Sequence, residues 1–383
     1  MKVLIALTVF APFVTVATNP EPLVAGISYR PALGTSDAVH GVILAIIGLM
    51  PFLVGYYVLS SREAIRIFMR ILLIAGLAYS IPMLIEVRLS PQINVWIYGF
   101  FAHDFSQAIR YGGFRPMVFL QHGLWVALFA MSVAVAAAVA FRTAPSGGRQ
   151  KPLLILGYLM IVLVLCKSVG ALAMGLLFVP LVLLLHPRQL LLFCGLIALA
   201  VLIYPAANWA GWVPIAEIGD FISGLDAERG QSLTFRFENE RLLLDRATEK
   251  VIAGWGGWGR MFEVDPLTGR ETTIVDGQWI LTIAMSGLIG YIATFGLLCG
   301  AIIRQMFGAA RQQADMWTTG LVVILTANLI DLIPNATLTP LTWVAAGALT
   351  GLAVRAGKTV SDDLAGKAPA PIAARPGMKA ILG

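Results

Sequence analysis

The chain has 383 residues, of which 58% are hydrophobic and 13% are charged, and its mean hydropathy is +0.82. Soluble domains average about 45–50% apolar and about 25% charged residues, so this composition excludes an ordinary soluble protein and predicts a polytopic membrane protein. The net charge of +6 does not imply a nucleic-acid partner, because membrane topology accounts for the distribution of the basic residues.

Ten apolar segments approach the roughly 20 residues that a helix needs to cross the hydrocarbon layer. They are 3–18, 40–60, 67–87, 117–141, 152–166, 168–186, 189–208, 277–303, 316–333 and 341–355. The predicted fold class is therefore all-α, a polytopic bundle of about ten transmembrane helices. The break between the fifth and sixth segments, at Lys167-Ser168, is open. A cleaved signal peptide over residues 1–20 is the alternative for the first segment, and it leaves the remaining topology unchanged.

Lysine and arginine are unevenly distributed over the short connections. With the N-terminus inside, eleven of them face inside and five face outside, as the positive-inside rule requires. This orientation predicts that the long loop 209–275 faces outside, which in a bacterium is the periplasm, and that the protein lies in the inner (cytoplasmic) membrane. The three cysteines fall in apolar segments without metal-ligand spacing, so neither a metal nor another cofactor is expected.

The chain divides into four parts by composition. Residues 1–208 contain the N-terminal helices and an aromatic outer segment, 88–116, which is too polar to span and is predicted to lie at the membrane interface. The long loop 209–275 follows, and 276–355 contains the C-terminal helices. Residues 356–383 lack the apolar content to fold and are predicted to form a disordered cytoplasmic tail.

An amphipathic helix is predicted inside the long loop, over residues 233–252, because apolar side chains recur there at helical spacing. Asp226 or Ser232 would cap its start, and Gly254 would end it. The sequence that follows has four glycines in six residues, Gly-Trp-Gly-Gly-Trp-Gly, and therefore predicts turns.

Three arginines stand at five-residue intervals around this helix: Arg236, Arg241 and Arg246. Guanidinium groups bind phosphate oxygens in two-point geometry, and a pyrophosphate leaving group needs such donors where its negative charge grows. The alternative is a solvated helix in which Arg236 pairs with Glu240 and Arg241 pairs with Asp245. The loop has eleven acidic and seven basic residues, so it is not a simple cationic patch, and both interpretations stay open.

Two tryptophans and one histidine outside the spans each have a functional and a structural interpretation. Trp255 and Trp258 would offer flat faces to sugar rings, or anchor the protein at the membrane interface. His103, beside Asp104, would contact a sugar or act as a general base, or is an ordinary surface histidine. The spans carry almost no charge, whereas an ion-coupled transporter is expected to keep an ionisable residue near the bilayer midplane. The sequence therefore favours an enzyme.

A series of short motifs runs from about Lys167 to Gly351. They are Lys167-Ser168-x-Gly170-Ala171, Ser232 with Arg236, Gly254-Trp255-Gly256, Asp276-Gly277-Gln278-Trp279-Ile280, Ser286-Gly287-Leu288-Ile289-Gly290, and Asp331 followed by Pro334-Asn335. In order and spacing this half of the chain resembles the O-antigen ligase and polymerase family of bacterial membrane glycosyltransferases. Many ligases have a His-Asn pair where this chain has Asp276-Gly277, and the N-terminal half indicates a distinct branch, similar to exopolysaccharide polymerases.

The resemblance implies a multi-helix fold whose periplasmic loop covers a cavity open to lipid. It also implies transfer of a glycan from undecaprenyl pyrophosphate to a sugar hydroxyl, without a nucleotide sugar or an obligatory metal. In the family, outer arginines hold the pyrophosphate. We carry this role first to Arg236, and then to Arg241, Arg246 and Lys167.

The general base is open among three carboxylates: Asp276, Glu240 and Glu238. The predicted function is a polymerase-like glycosyltransferase that joins lipid-linked repeat units during exopolysaccharide or O-antigen assembly. The alternatives are a ligase that moves finished glycan to lipid A-core or protein, and a lipid or polysaccharide transporter without catalysis. The expected partners are the lipid-linked glycan, membrane lipids and chain-length or export proteins of the pathway.

Overall fold

The structure, a computed structural model, describes residues 1–101, 104–214, 217, 219–220, 223–224, 227–307 and 311–366, without the side chains of 227–229, 231–233 and 358–366. In these ranges the chain is mostly helical. The helices are α1 (Lys2–Ala17), α2 (Thr35–Val58), α3 (Arg62–Leu89), α4 (Ile93–Tyr98), α5 (Gly123–Thr143), α6 (Gln150–Leu165), α7 (Val169–Leu184), α8 (Pro187–Trp209), α9 (Ala227–Thr248), α10 (Gln278–Met306), α11 (Met316–Asp331) and α12 (Pro340–Gly366).

Each predicted apolar segment falls on one of these helices. Among the described residues, α2, α3, α5, α8 and α10 are long and apolar enough to cross a membrane. The helices α1, α6, α7 and α11 are apolar but shorter than 18 residues. The helical class and the membrane character are therefore confirmed, whereas the number of ten crossings stays a prediction. The end of the bundle that carries residues 209–275 is called the loop end below.

Burial separates a central group of helices from a peripheral one. In the most apolar 18-residue stretch of α5, 72% of the residues are buried, whereas in the corresponding stretch of α2 only 22% are buried. α11 is buried along nearly all of its length. Because α5 and α11 are covered by other helices, their side chains meet protein, and the exposed apolar side chains of α2 are those that lipid would cover.

The open question at Lys167 is resolved by a break in the backbone. α6 ends at Leu165 and α7 begins at Val169, and Lys167 between them has a φ of +51°. This left-handed conformation is uncommon for a residue with a side chain. It turns the chain at the loop end and separates the two helices.

Two small antiparallel hairpins at the loop end were not predicted. β1 (Leu23–Ala25) pairs with β2 (Ser28–Arg30), and β3 (Ile109–Arg110) pairs with β4 (Gly113–Phe114). The second hairpin lies in the predicted interfacial segment, where α4 and its surroundings expose several large aromatic side chains: Trp96, Tyr98, Phe100, Phe105 and Tyr111.

The helix of the long loop is shifted from its predicted position. α9 spans Ala227–Thr248, so it starts and ends earlier than the predicted 233–252. Ser232 lies inside the helix and cannot cap it, and Asp226 lies outside the described residues. At the other end of the chain, α12 continues to Gly366 and so covers the first part of the tail that was predicted to be disordered. The rest of that tail lies outside the described residues.

α10 is interrupted at Gly287, whose φ of +63° and ψ of −165° are not helical. Loop residues 251–256 fill the interruption and form four backbone hydrogen bonds with residues 284–289. Leu288 N donates to Val251 O (2.8 Å), Ile289 N to Ile252 O (3.2 Å), Trp255 N to Ala284 O (2.8 Å) and Gly256 N to Met285 O (2.9 Å). We call this arrangement the clasp. It satisfies backbone groups that the broken helix leaves free, as buried irregular backbone requires.

Two glycines make the clasp possible. Gly254 has a φ of +70°, and a Cβ on it would lie 2.5 Å from Met285 O. A Cβ on Gly287 would overlap the carbonyl group of Ile252. The Gly254-Trp255-Gly256 and Ser286-Gly287-Leu288 motifs, which stand apart in the sequence, are thus the two halves of one contact.

Candidate functional site

A small crevice opens at the loop end, where α9 crosses the end of α8 and the start of α10. Its volume is about 40 Å³, which is room for a few water molecules. It is lined by Tyr204, Arg236, Phe237, Glu240, Leu243, Ile274, Asp276, Gly277, Ile280, Ile333 and Pro334. Three residues that were predicted to function therefore meet here: Arg236 and Glu240 from α9, and Asp276 from the segment before α10.

Arg236 forms its ion pair with the carboxylate at the start of α10 rather than within α9. Its Nε lies 3.5 Å from Asp276 Oδ2, and the two side chains are 38% and 37% exposed. The predicted alternative, a pair with Glu240, is therefore wrong. The contact uses Nε, and the two terminal nitrogens of Arg236 form no further hydrogen bond or ion pair with the described residues.

Glu240 is held by two residues of α8 instead. Asn208 Nδ2 donates to Glu240 Oε1 over 2.6 Å, and the Tyr204 hydroxyl lies 3.3 Å from the same oxygen. Burial raises the pKa of Glu240 to about 6, although both hydrogen bonds act in the opposite direction. A carboxyl group with a pKa near the working pH is suited to general base chemistry. Sequence analysis missed Tyr204 and Asn208, and their only signal is polar spacing at i,i+4 near the end of an apolar helix.

Behind the crevice, Asp331 organises the turn after α11. Its carboxylate accepts hydrogen bonds from Asn335 Nδ2 (3.0 Å) and Thr337 Oγ1 (2.6 Å). The charges of Arg236 and Arg115 both act on it. A Cβ on Gly277 would overlap the carbonyl of Ile333 in the same turn. The packing therefore requires glycine at position 277.

Arg246 and Trp255, predicted to bind pyrophosphate and sugar, support the clasp instead. The Arg246 guanidinium pairs with Glu249 at 2.8 Å and lies 3.7 Å from the centre of the Trp255 ring. Trp255 is 4% exposed, and its Nε1 donates to Arg246 O over 2.9 Å. Trp255 thus offers no open face to a sugar, and Arg246 is engaged in packing, so these two predicted roles are not supported by the geometry.

Two further predicted residues, Arg241 and Glu238, are exposed on α9 and do not line the crevice. The predicted pair of Arg241 with Asp245 is absent from the part of the chain that the structure describes. These positions match a solvated helix face.

The remaining predicted residues lie elsewhere at the loop end. Trp258 is 66% exposed, and its Nε1 donates to Asp37 Oδ1 over 2.8 Å; the sugar platform and the membrane anchor both stay predictions. Lys167 Nζ donates to Arg110 O over 3.1 Å, away from the crevice. His103 lies outside the described residues. Within the described ranges, no group of three or more His, Cys, Asp or Glu residues is placed to hold a metal ion.

The fold and the crevice define the chain as a helical membrane protein with one elaborate polar loop. In comparisons with known proteins, no family model and no curated protein matches this chain. The family resemblance therefore stays a prediction from the sequence motifs alone.

Proposed function

We propose that the protein is a polymerase-like glycosyltransferase that joins polyprenyl-pyrophosphate-linked repeat units during assembly of a surface polysaccharide. The observation that carries the proposal is the crevice, in which Arg236 and Glu240 of α9 meet Asp276 at one end of an apolar bundle. A lipid-linked substrate needs this arrangement, because its tail stays in the membrane while its polar head reaches an aqueous loop. In this proposal the loop faces the periplasm of a bacterial inner membrane.

The proposed reaction is a direct displacement at the anomeric carbon. The acceptor hydroxyl oxygen forms a bond to that carbon, the bond from the carbon to the pyrophosphate oxygen breaks, and the hydroxyl proton passes to a carboxylate. Arg236 stabilises the charge that develops on the departing pyrophosphate. Glu240 takes the proton, because its raised pKa keeps it a better proton acceptor than an ordinary carboxylate.

Asp276 has a different role in this scheme. Its contact with Arg236 sets the direction of the guanidinium and leaves the terminal nitrogens for phosphate oxygens. The crevice of about 40 Å³ is too small for a sugar pyrophosphate, so the substrate would bind across its mouth rather than inside it.

The test is elongation by the purified full-length protein in liposomes that contain a polyprenyl-pyrophosphate-linked repeat unit. Products of two or more units, separated by electrophoresis, support a polymerase. Transfer of preformed chains to another lipid without elongation supports a ligase, and movement of the lipid between leaflets without transfer supports a transporter. In cells, deletion leaves single repeat units if the protein polymerises, and full-length lipid-linked chains if it ligates.

A further inference from the structure

Glu240 reaches the crevice from α9, but the groups that hold its carboxylate belong to α8. Asn208 Nδ2 donates to Glu240 Oε1 over 2.6 Å, and the Tyr204 hydroxyl donates to the same oxygen over 3.3 Å. Asn208 Nδ2 also donates to the Tyr204 hydroxyl oxygen over 3.4 Å, which leaves the hydroxyl proton for Glu240. The two side chains therefore act on the carboxylate as one unit.

The last turns of α8 are fixed by contacts with α10. Pro205 has no N–H, so the carbonyl of Val201, four residues earlier, lacks its helical donor. The Tyr291 hydroxyl of α10 donates to this carbonyl over 2.8 Å. The Tyr204 ring meets the Trp279 ring edge to face, with ring centres 5.1 Å apart and ring planes at 84°. These contacts hold in place the part of α8 that carries both donors.

Trp279 is the third donor group at Glu240. The residue is fully buried, and its Nε1 forms no hydrogen bond of ordinary geometry with the described residues, yet it acts on the carboxylate. A Cβ on Gly277, which lines the crevice, would lie 3.1 Å from this nitrogen. Asn208, Tyr204 and Trp279 together are called the carboxylate cradle below.

The cradle opposes the effect of burial on Glu240. Burial raises the pKa of this carboxyl group to about 6, and the donor groups of the cradle lower it. The ionisable groups that line the crevice with it are Tyr204 from α8, Arg236 from α9 and Asp276 from the segment before α10. Arg236 and Asp276 pair with each other, and neither charge contributes to the pKa shift of Glu240. Without the cradle, burial would therefore bring the pKa closer to neutral pH.

We propose that Asn208 and Tyr204 are positioning residues, which hold the Glu240 carboxylate ionised and oriented in the wall of the crevice. The inference rests on the proposed function, in which the acceptor proton moves to Glu240. The electron pair of the broken O–H bond then forms the bond to the anomeric carbon, and the pyrophosphate leaves with the pair of its own bond. Asn208 does not line the crevice, so it acts through Glu240 rather than on the substrate.

Infrared spectroscopy of the full-length protein in liposomes measures protonation of Glu240 without requiring catalysis. The C=O band of the protonated carboxyl group, identified by its loss in Glu240→Gln, is expected to have a pH midpoint of about 6 in the wild type. In Asn208→Leu the midpoint is expected to rise by about one pH unit, because a hydrogen bond to a charged group contributes at least that much. Tyr204→Phe is expected to give a smaller rise, since its hydroxyl lies farther from the carboxylate than the amide does.

Asn94→Leu and Tyr158→Phe are the matched controls. Asn94 Nδ2 donates to Phe100 O, and the Tyr158 hydroxyl is hydrogen-bonded to the Ser80 hydroxyl. Each control variant loses a hydrogen bond of the same kind, and none of these residues lines the crevice. Both controls are expected to keep the infrared midpoint of the wild type.

The transfer assay adds a readout that separates positioning from binding. In Asn208→Leu the pH of half-maximal transfer is expected to rise together with the infrared midpoint. Its kcat at pH 7 is expected to fall about tenfold, because a base that is protonated or misplaced loses part of its contribution. The KM for the lipid-linked donor is expected to stay unchanged, because Arg236 is intact.

The outcomes for the cradle and for the proposed function are separate. Tyr204→Phe, which keeps the ring against Trp279, provides the measurement in case Asn208→Leu does not fold. Infrared midpoints equal to that of the wild type in the folded variants would overturn the cradle, even if sugar is transferred. Raised midpoints in a protein that transfers no sugar would overturn the proposed function, and the hold of Asn208 and Tyr204 on Glu240 would stand.

Discussion

Gly287→Ala is expected to separate the long loop from α10. The residue has a φ of +63° and a ψ of −165°, a region that is essentially restricted to glycine and costs other residues about 1–3 kcal/mol. The new Cβ would also overlap the Ile252 carbonyl, and overpacking of this kind costs about 1–3 kcal/mol more. Movement of the loop to relieve the overlap would weaken the four backbone bonds of the clasp, each contributing about 0.5–1.5 kcal/mol. The backbone strain and the overlap together therefore give an expected loss of stability of about 2–6 kcal/mol.

The assay is the temperature at which the detergent-solubilised protein loses its monodisperse peak in size-exclusion chromatography. Gly48→Ala and Gly157→Ala are matched controls, because both glycines are helical and a Cβ on either would meet no atom within 4 Å. Alanine is favoured over glycine in helices by about 1 kcal/mol, so these variants should be unchanged or slightly more stable. A midpoint for Gly287→Ala equal to that of the wild type would refute the clasp.

Four further predictions concern the crevice and the anchoring of the long loop. Arg236→Lys keeps the charge but loses the two-point geometry, so polymer yield should fall about tenfold or more at normal protein level. The pKa of Glu240 is about 6, so the transfer rate should decrease as the pH falls through 6, and Glu240→Gln should abolish transfer. A raised carboxyl pKa also lowers stability as pH rises from about 4.5 to 6, by about 2 kcal/mol, so Glu240→Gln should raise the thermal midpoint at pH 8 but not at pH 4. Arg260 is 1% exposed and donates to two backbone carbonyls, so Arg260→Met should cost about 2–5 kcal/mol in the same thermal assay.

Each of these predictions has a control or an outcome that contradicts it. Arg241→Lys, on the exposed face of α9, should leave the polymer unchanged, and wild-type polymer from Arg236→Lys would remove that residue from the site. A transfer rate that does not change between pH 5 and 8 would exclude Glu240 as the base. Arg270→Met is the control for Arg260, and equal midpoints for the two variants would show that Arg260 does not anchor the loop.

Apolar runs were sufficient to predict where the helices lie, because each helix of the bundle must bury or cover a long apolar surface. The hairpins were missed for the opposite reason: strands of two or three residues, such as Ile109–Arg110, are too short to show a periodic pattern. The prediction of a helix cap at Ser232 was wrong because, in a helix that is rich in polar residues, the sequence does not distinguish an interior serine from a capping serine. Composition alone does not fix a helix end.

The candidate site was predicted in part. Arg236, Glu240 and Asp276 were identified, but their pairing was not, since the approach of α10 to α9 depends on how the loop folds back. The stacking of Arg246 on Trp255 was not predicted, because the contact of a guanidinium with an indole ring depends on the three-dimensional fold.

The interlocking of residues 251–256 with residues 284–289 sets where this protein can be divided. A polar loop of this length invites excision, or exchange with the loop of a related protein, at its apparent borders near 209 and 275. A cut at these borders would separate the two partners of each clasp hydrogen bond, because residues 251–256 would be exchanged and residues 284–289 would not. Chimaeras that carry the exchange through residue 290 keep both partners from one parent, and should fold where shorter grafts fail.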